Sequence, residues 1–338
     1  MRLAPILLFL LAASLVFGQS DSLRARYVHE YPDYFFIWPV IKYRSLSFEV
    51  GKAGDAKDNV EFIPNNSVAM GVGFYIFELG FELAFAVPLD QQDVNRFGES
   101  KARDIQLNVL SKKWGADLYY QKYEGYYKDD SRVTIPEPLP LPQRPDINTR
   151  NIGISGFYVF NHRKFSLRSS FNFSERQLQS KGSFIVYGTI NSFRLIADSV
   201  VLSPDTQVGL GKGSDFQNLR YTTFSLAPGY SYNIIKKKFF ANLTLSFGPA
   251  HHWVYLQDGS GNERDDLNIN STITGRFGLG YNGDRFFAGI GLTTPTRLVK
   301  FEKTRFSNST NFIKIVFGYR FKEFGILKKR TWDLLPQF

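Results

Sequence analysis

The sequence predicts an all-β fold: a transmembrane antiparallel up-and-down β-barrel of about twelve strands, or fourteen if one further hairpin is counted. Three observations predict it. Long stretches alternate large apolar residues with small or polar ones at period two. Short connections alternate with long ones along the chain. The composition is aromatic and glycine-rich, with 33 Phe, 18 Tyr and 28 Gly in 338 residues. The mean hydropathy is slightly negative, which argues against a bundle of apolar spanning helices. At 43% hydrophobic residues the chain has ample material for burial and is not a disordered one. With no cysteine, a disulfide scaffold, a thiolate metal site and a cysteine nucleophile are excluded.

Taken in chain order, Arg2 precedes an apolar run from Leu3 to Phe17, then Gly18 and a polar stretch. This reads as a secretory signal peptide over 1–18. The alternative is a single membrane anchor, for which the run is short of the ~20 residues a span needs. A periplasmic N-terminal segment over 19–41, a barrel over 42–321 and a periplasmic tail over 322–338 are expected to follow.

Within the barrel, Val68, Met70, Val72, Phe74 and Ile76 alternate with small residues, and Leu79, Phe81, Leu83, Phe85 and Val87 do the same. Further alternating segments are 165–174 (Phe165, Leu167, Phe171, Phe173), 239–248 (Phe239, Leu243, Leu245, Phe247), 272–281 (Ile273, Phe277, Leu279, Tyr281) and 313–321 (Ile313, Ile315, Phe317, Tyr319, Phe321). The opposite face carries mostly Gly, Ser, Thr, Asn and Ala. A soluble sandwich would show Lys and Glu there. Large residues are therefore expected to face lipid, and small ones the curved interior of the barrel. A transmembrane helix over 68–89 is the competing reading, but three glycines and Glu82 inside the run argue against it.

Expected short turns are Phe77-Glu78, Lys112-Lys113, 161–164, 235–238 and Asn282-Gly283-Asp284, the last an Asn-Gly hairpin turn. Long polar stretches lie at about 52–65, 88–102, 128–149, 257–267 and 296–308, as in barrels with tight periplasmic turns and long outer loops. Twelve strands follow if 177–218 is one outer excursion; a strand over 184–196 would give fourteen. Trp114, Tyr119, Tyr120, Tyr123, Tyr126, Tyr127, Tyr230, Tyr232, Trp253 and Tyr255 are expected at the two membrane interfaces. The alternation Phe317, Tyr319, Phe321 is similar to the last-strand signal read by barrel-assembly machinery, an expected partner.

The net charge of +10 is dispersed and does not point to nucleic acid. Lys112, Lys113, Arg163, Lys164, Lys236, Lys237 and Lys238 crowd the short turns, where anionic headgroups of outer-membrane lipids are expected. Glu49, Glu82, Arg168, Arg276, Lys314 and Arg320 are the charged candidates for the lumen. There they either pair and plug it or line a wet path. His251-His252 offers a remote acyl-hydrolase site, but no Ser is placed to serve it. No catalytic, metal-binding or cofactor-binding residue is expected, and no cofactor.

The segments Tyr27-Val28 with Tyr31-Pro32-Asp33, Phe97 to Lys101, Glu124-Gly125-Tyr126-Tyr127, Ala197-Asp198-Ser199 and Ile235-Lys236-Lys237 resemble a Bacteroidota outer-membrane-associated family known as a domain of unknown function. The resemblance covers nearly all of the mature chain. It implies an outer-membrane β protein and carries no catalytic residue with it. The expected function is a pore or uptake channel for small polar or amphipathic solutes. The runner-up is a non-conducting barrel serving as scaffold or partner of envelope or secretion machinery, and an outer-leaflet lipid acyl hydrolase comes third.

Overall fold

The computed structural model describes residues 22–54, 59–76, 79–210 and 212–323. The expected signal peptide, the Phe77-Glu78 turn and the tail beyond 323 lie outside the described residues. The strands are β1 (Val28–Glu30), β2 (Tyr34–Lys52), β3 (Asn59–Ile63), β4 (Ala69–Ile76), β5 (Leu79–Ala86), β6 (Lys101–Leu110), β7 (Trp114–Asp130) and β8 (Gln143–Val159). They continue with β9 (Glu175–Gln177), β10 (Lys181–Ile196), β11 (Phe216–Lys236), β12 (Phe239–Asp258), β13 (Glu263–Asn282), β14 (Phe286–Phe301) and β15 (Thr304–Lys322).

Ten strands form a closed antiparallel ring in the order β2, β3, β7, β8, β10, β11, β12, β13, β14, β15. It shuts where β15 pairs β2 from Lys322↔Tyr34 to Thr304↔Lys52. Closure pairs both edges of every strand in the ring, as in strands that cross a bilayer. Among the described residues no helix is long and apolar enough to cross a membrane, and β4 and β5 pair antiparallel from Ala69↔Ala86 to Ile76↔Leu79.

The ring holds ten strands rather than the expected twelve or fourteen, for two reasons. First, 165–174 is not a wall strand: it carries a one-turn helix, Arg168–Phe171, inside the barrel, and β10 takes its place beside β8. Second, β4, β5 and β6 lie outside the ring. The edge of β2 that faces β7 pairs β3 at 48–51 and β4 at 36–42. The facing edge of β7 pairs β3 at 127–130 and β6 at 115–124. The short β3 therefore completes the ring at one end. Below it β4–β5 hangs from one side and β6 from the other, and among the described residues β5 and β6 are not paired to each other.

The wall begins at Tyr34, ahead of the expected 42. The polar stretches at 257–267 and 296–308 are mostly strand, since β12 and β13 are joined through 259–262 and β14 and β15 through Glu302-Lys303. Their polar residues extend the sheet beyond the apolar belt instead of forming loops.

Met70, Val72, Phe74, Phe81, Leu83, Phe85, Leu243, Leu245, Phe247, Ile315 and Phe317 are exposed on the outer face. A contiguous apolar girdle of this kind is the surface of a bilayer-spanning barrel, since water would leave it unfavourably hydrated. The inner face differs from the expectation. It is not uniformly small: Phe48, Phe62, Phe193, Phe216 and Phe306 point inward and are almost fully buried. Small inner residues instead seat these rings and others. The rings of Trp38 and Phe287 lie over Gly73 and Gly318, where a Cβ would meet each ring at 2.0 Å.

Candidate functional site

The interior is the candidate site, because the charged and aromatic residues singled out by the sequence converge there. It has three layers, each joining walls that are not neighbours in the sheet.

At the long-loop end the layer is apolar. Phe193 on β10 meets Phe306 on β15 with ring centroids 5.6 Å apart, and Phe216 on β11 reaches Phe301 on β14 at 5.7 Å. Tyr221 also touches Phe306, at 6.1 Å. The β10–β11 connection folds back over these rings, burying Val201, Leu202 and Leu210 against them. Burial is worth roughly 1.5–3 kcal/mol per large apolar side chain, so this cap is firmly held.

The middle layer is polar and cross-braced. Arg276 on β13 donates to Asp117 on β7 at 2.7 Å, with its guanidinium 5.2 Å over Phe157 and 5.5 Å over Tyr187. Arg297 on β14 donates to the Tyr119 hydroxyl at 2.7 Å. Asn191, Asn151 and Gln121 form a chain of amide hydrogen bonds that runs on to Asp104, which also accepts from Arg44 at 2.8 Å and from the Tyr123 hydroxyl at 2.9 Å. Glu82 on β5 accepts from Lys314 at 2.7 Å and from the Trp38 indole at 3.1 Å, with Lys42 at 3.6 Å. Charges taken out of water persist when paired and hydrogen-bonded in this way.

At the short-turn end the segment 161–177 and the N-terminal residues form a plug. β9 pairs β1, and Glu175 accepts from Arg24 at 2.5 Å and from the Ser166 hydroxyl. Its other oxygen is 3.3 Å from the Arg168 guanidinium, an ion pair without hydrogen-bond alignment. Asn233 and Asn282 on the wall donate to the Ser166 and Ser169 carbonyls at 2.9 and 2.8 Å. Arg320 donates to the carbonyls of Phe173 and Gly283 at 2.6 Å each, and lies 4.0 Å over the Tyr31 ring. Phe173 stacks on Phe287 with centroids 4.8 Å apart.

The candidate charges thus divide. Glu82, Arg276, Lys314 and Arg320 face the interior and are engaged as described. Arg168 is also inside, on the plug, where it donates to the Tyr75 hydroxyl at 2.6 Å. Glu49 stands instead on the outer face, sharing the parity of Ile41, and pairs with Arg305 there. A strand's two faces are separated by one residue, so the polar setting of Glu49 beyond the apolar belt looked like an inner face.

Several turn lysines engage the plug and its neighbouring turn. Lys112 donates to Glu30 at 2.7 Å, Lys238 to Asp284 at 2.6 Å, and the Lys164 ammonium lies 5.8 Å over the Tyr27 ring. The Lys238 hydrogen bond, aided by Arg176, holds the Asp284 carboxyl down at about 2. Burial opposes ionisation of Glu30, but Lys112 and Arg24 outweigh it and lower its pKa. Arg163, Lys113, Lys236 and Lys237 stand in the same short-turn end.

The histidines separate. His251 packs edge-on to Trp253 on the outer face, while His252 is wholly buried and hydrogen-bonded to the Thr223 hydroxyl at 2.8 Å. Thr223 is equally buried, so that hydroxyl–imidazole pair is closed off from solvent. Tyr119, Tyr123 and Tyr126, expected at the interfaces, face inward; Trp114, Tyr230, Tyr232 and Trp253 are exposed on the girdle.

The family model described as "Domain of unknown function (DUF4421)" matches residues 19–321. No curated protein matches the chain. Among solved structures, the outer-membrane protease OmpT of Escherichia coli is 8% identical, with 86% of this chain and 98% of that one covered, at a TM-score of 0.37. The toluene transporter TodX of P. putida is 9% identical, with 91% and 94% covered, at 0.26. The translocator domain of the autotransporter NalP of Neisseria meningitidis is 11% identical, with 84% and 88% covered, at 0.28. At such scores the evidence for a closed barrel is its own hydrogen-bonded ring.

Proposed function

We propose that this chain, which belongs to the DUF4421 family over residues 19–321, is a non-conducting outer-membrane barrel serving as a membrane-anchored scaffold for envelope machinery. One observation carries the reading: opposite walls touch across the interior in all three layers, from Phe193 and Phe306 through Arg276 and Asp117 to the Arg320-clamped plug. A path for hydrated solutes needs a water-lined bore, and here the interior polar groups bond to one another instead. What such a barrel offers is surface: strands prolonged beyond the apolar girdle at one end, and a docked N-terminal segment at the other.

A second reading, uptake of amphipathic solutes, is favoured by a separate feature. Among the described residues the outer edges of β5 and β6 are unpaired, and they flank a seam in the wall beside the Lys42–Glu82–Lys314 cluster. An amphipathic molecule entering from the bilayer would meet those charges without crossing the apolar cap or the plug. One experiment serves both readings. The folded chain is reconstituted in vesicles, and entry of a small sugar and of a fluorescent fatty acid is followed. The scaffold reading expects neither to move faster than in empty vesicles. Faster fatty acid alone would favour the seam, and faster sugar would end the sealed barrel.

A further inference from the structure

The outer face carries a feature that no linear motif reveals. Five basic residues on five successive strands stand directly opposite one another: Arg103 faces Lys122, Lys122 faces Arg150, Arg150 faces Arg194, and Arg194 faces Arg220. With strands about 4.8 Å apart, the row is about 19 Å long. Every member is exposed and shares its face with lipid-facing residues of the same strand, such as Ile105, Leu118, Ile152, Ile190 and Phe224. The row lies on the long-loop side of those residues, where the apolar girdle ends and headgroups begin.

Like charges directly opposite on neighbouring strands repel and destabilise a sheet. Here little protein charge answers them. Lys122 pairs with Glu124 and Arg220 lies 5.1 Å over the Tyr255 ring. Among the described residues, Arg103, Arg150 and Arg194 have no carboxylate within ion-pair distance. At one end the row borders a surface groove of about 280 Å³, lined by Arg194, Ile196, Asn218, Arg220, Tyr255 and Gln257. Guanidinium groups bind phosphate through paired N–H donors, and a row at headgroup height presents several to one leaflet.

We propose that Arg103, Lys122, Arg150, Arg194 and Arg220 form a binding site for the phosphate groups of lipids in the leaflet at the long-loop end. The site rests on the bilayer-spanning fold and is independent of whether the interior conducts. The phosphate neutralises the row, and the acyl chains of the same molecule lie along the exposed apolar residues beneath it.

The test uses the full chain folded in uncharged detergent. Dilauroyl phosphatidic acid, dilauroylglycerol and inorganic phosphate are titrated separately while the unfolding temperature is followed. The wild type is expected to be stabilised by phosphatidic acid alone, with apparent affinity at least tenfold weaker in the R150Q/R194Q/R220Q variant. The single R194Q variant, a milder change on an exposed face, is expected to fall between them and serves if the triple variant does not fold. Equal stabilisation of wild type and variants, or no stabilisation of the wild type, overturns the site. A matching response to dilauroylglycerol shows acyl binding without phosphate recognition and also overturns it. Matching stabilisation by inorganic phosphate assigns the row to free anions and overturns the lipid ligand.

Discussion

Replacing Glu175 by Ala is expected to release the plug while leaving the wall intact. Glu175 is almost wholly buried and faces two arginines, Arg24 from the N-terminal segment and Arg168 from the one-turn helix. Removing the carboxylate takes away the counter-charge that the two guanidinium groups share, while Arg24 keeps its ion pair with Glu30. Breaking a buried pair from one side costs about 3–5 kcal/mol. That cost falls on the docking of 22–31 against 161–177, since β1 and β9 pair with each other and with no strand of the ring. Trypsin is expected to cut the variant within 163–176 under conditions in which the folded wild type is spared there. Glu175→Gln keeps an acceptor for Ser166 but loses the charge, and should fall between the two. A variant as resistant as wild type would show that the wall contacts of Asn233, Asn282 and Arg320 hold the plug unaided.

Phe306→Ala is expected to be the costliest single change at the opposite end. Its ring is fully buried and contacts Phe48, Phe193, Phe216 and Tyr221, drawn from β2, β10 and β11. Truncating a buried Phe to Ala costs about 3–5 kcal/mol, because the cavity left behind collapses incompletely. A closed barrel has little freedom to collapse, which puts the cost toward the upper part of that range. The folded band on an unboiled gel should be lost at a clearly lower temperature than for wild type. Phe317→Ala, on the exposed girdle of the same strand, serves as the control and should shift it far less in detergent. Equal shifts for the two would mean that the inner rings contribute no more than lipid-facing ones.

How much of this was legible in the sequence depends on what each strand touches. β4, β5, β12 and β15 were readable because one face meets lipid and the other is mostly small or polar, so Phe74, Leu83, Leu245 and Phe317 stand out at period two. β10 was obscured because both of its faces are large: Phe184 and Ile190 look outward, while Ile185, Tyr187, Phe193 and Leu195 look inward. The stretch 165–174 misled for the converse reason. Phe165, Leu167 and Phe173 alternate, yet they pack inside the barrel around a turn of helix rather than within the wall. Turns such as Asn282-Gly283-Asp284 were visible locally, as their chemistry is local.

The interior itself was legible only in part. The charged residues Glu82, Arg276, Lys314 and Arg320 could be assigned to an inner face by parity, whereas their partners Asp117 and Lys42, and the carbonyls that hold Arg320, come from distant positions. The basic row on the outer face is fixed by strand register across five strands, which no single stretch of sequence carries. Pairing register is set by the closed sheet as a whole.

A barrel packed solid keeps its inner side chains out of reach of water-soluble reagents. Because the chain has no native cysteine, single cysteines report on it directly. Ser225→Cys, Ser231→Cys and Ser246→Cys each place a near-isosteric thiol on a buried inner position, with Ser260→Cys in an exposed turn as reference. With a water-soluble maleimide, the three inner thiols are expected to stay unlabelled in the folded protein and to react fully after boiling, while the reference reacts in both states. Labelling of the inner thiols in the folded barrel at the rate of the reference would contradict a solidly packed interior.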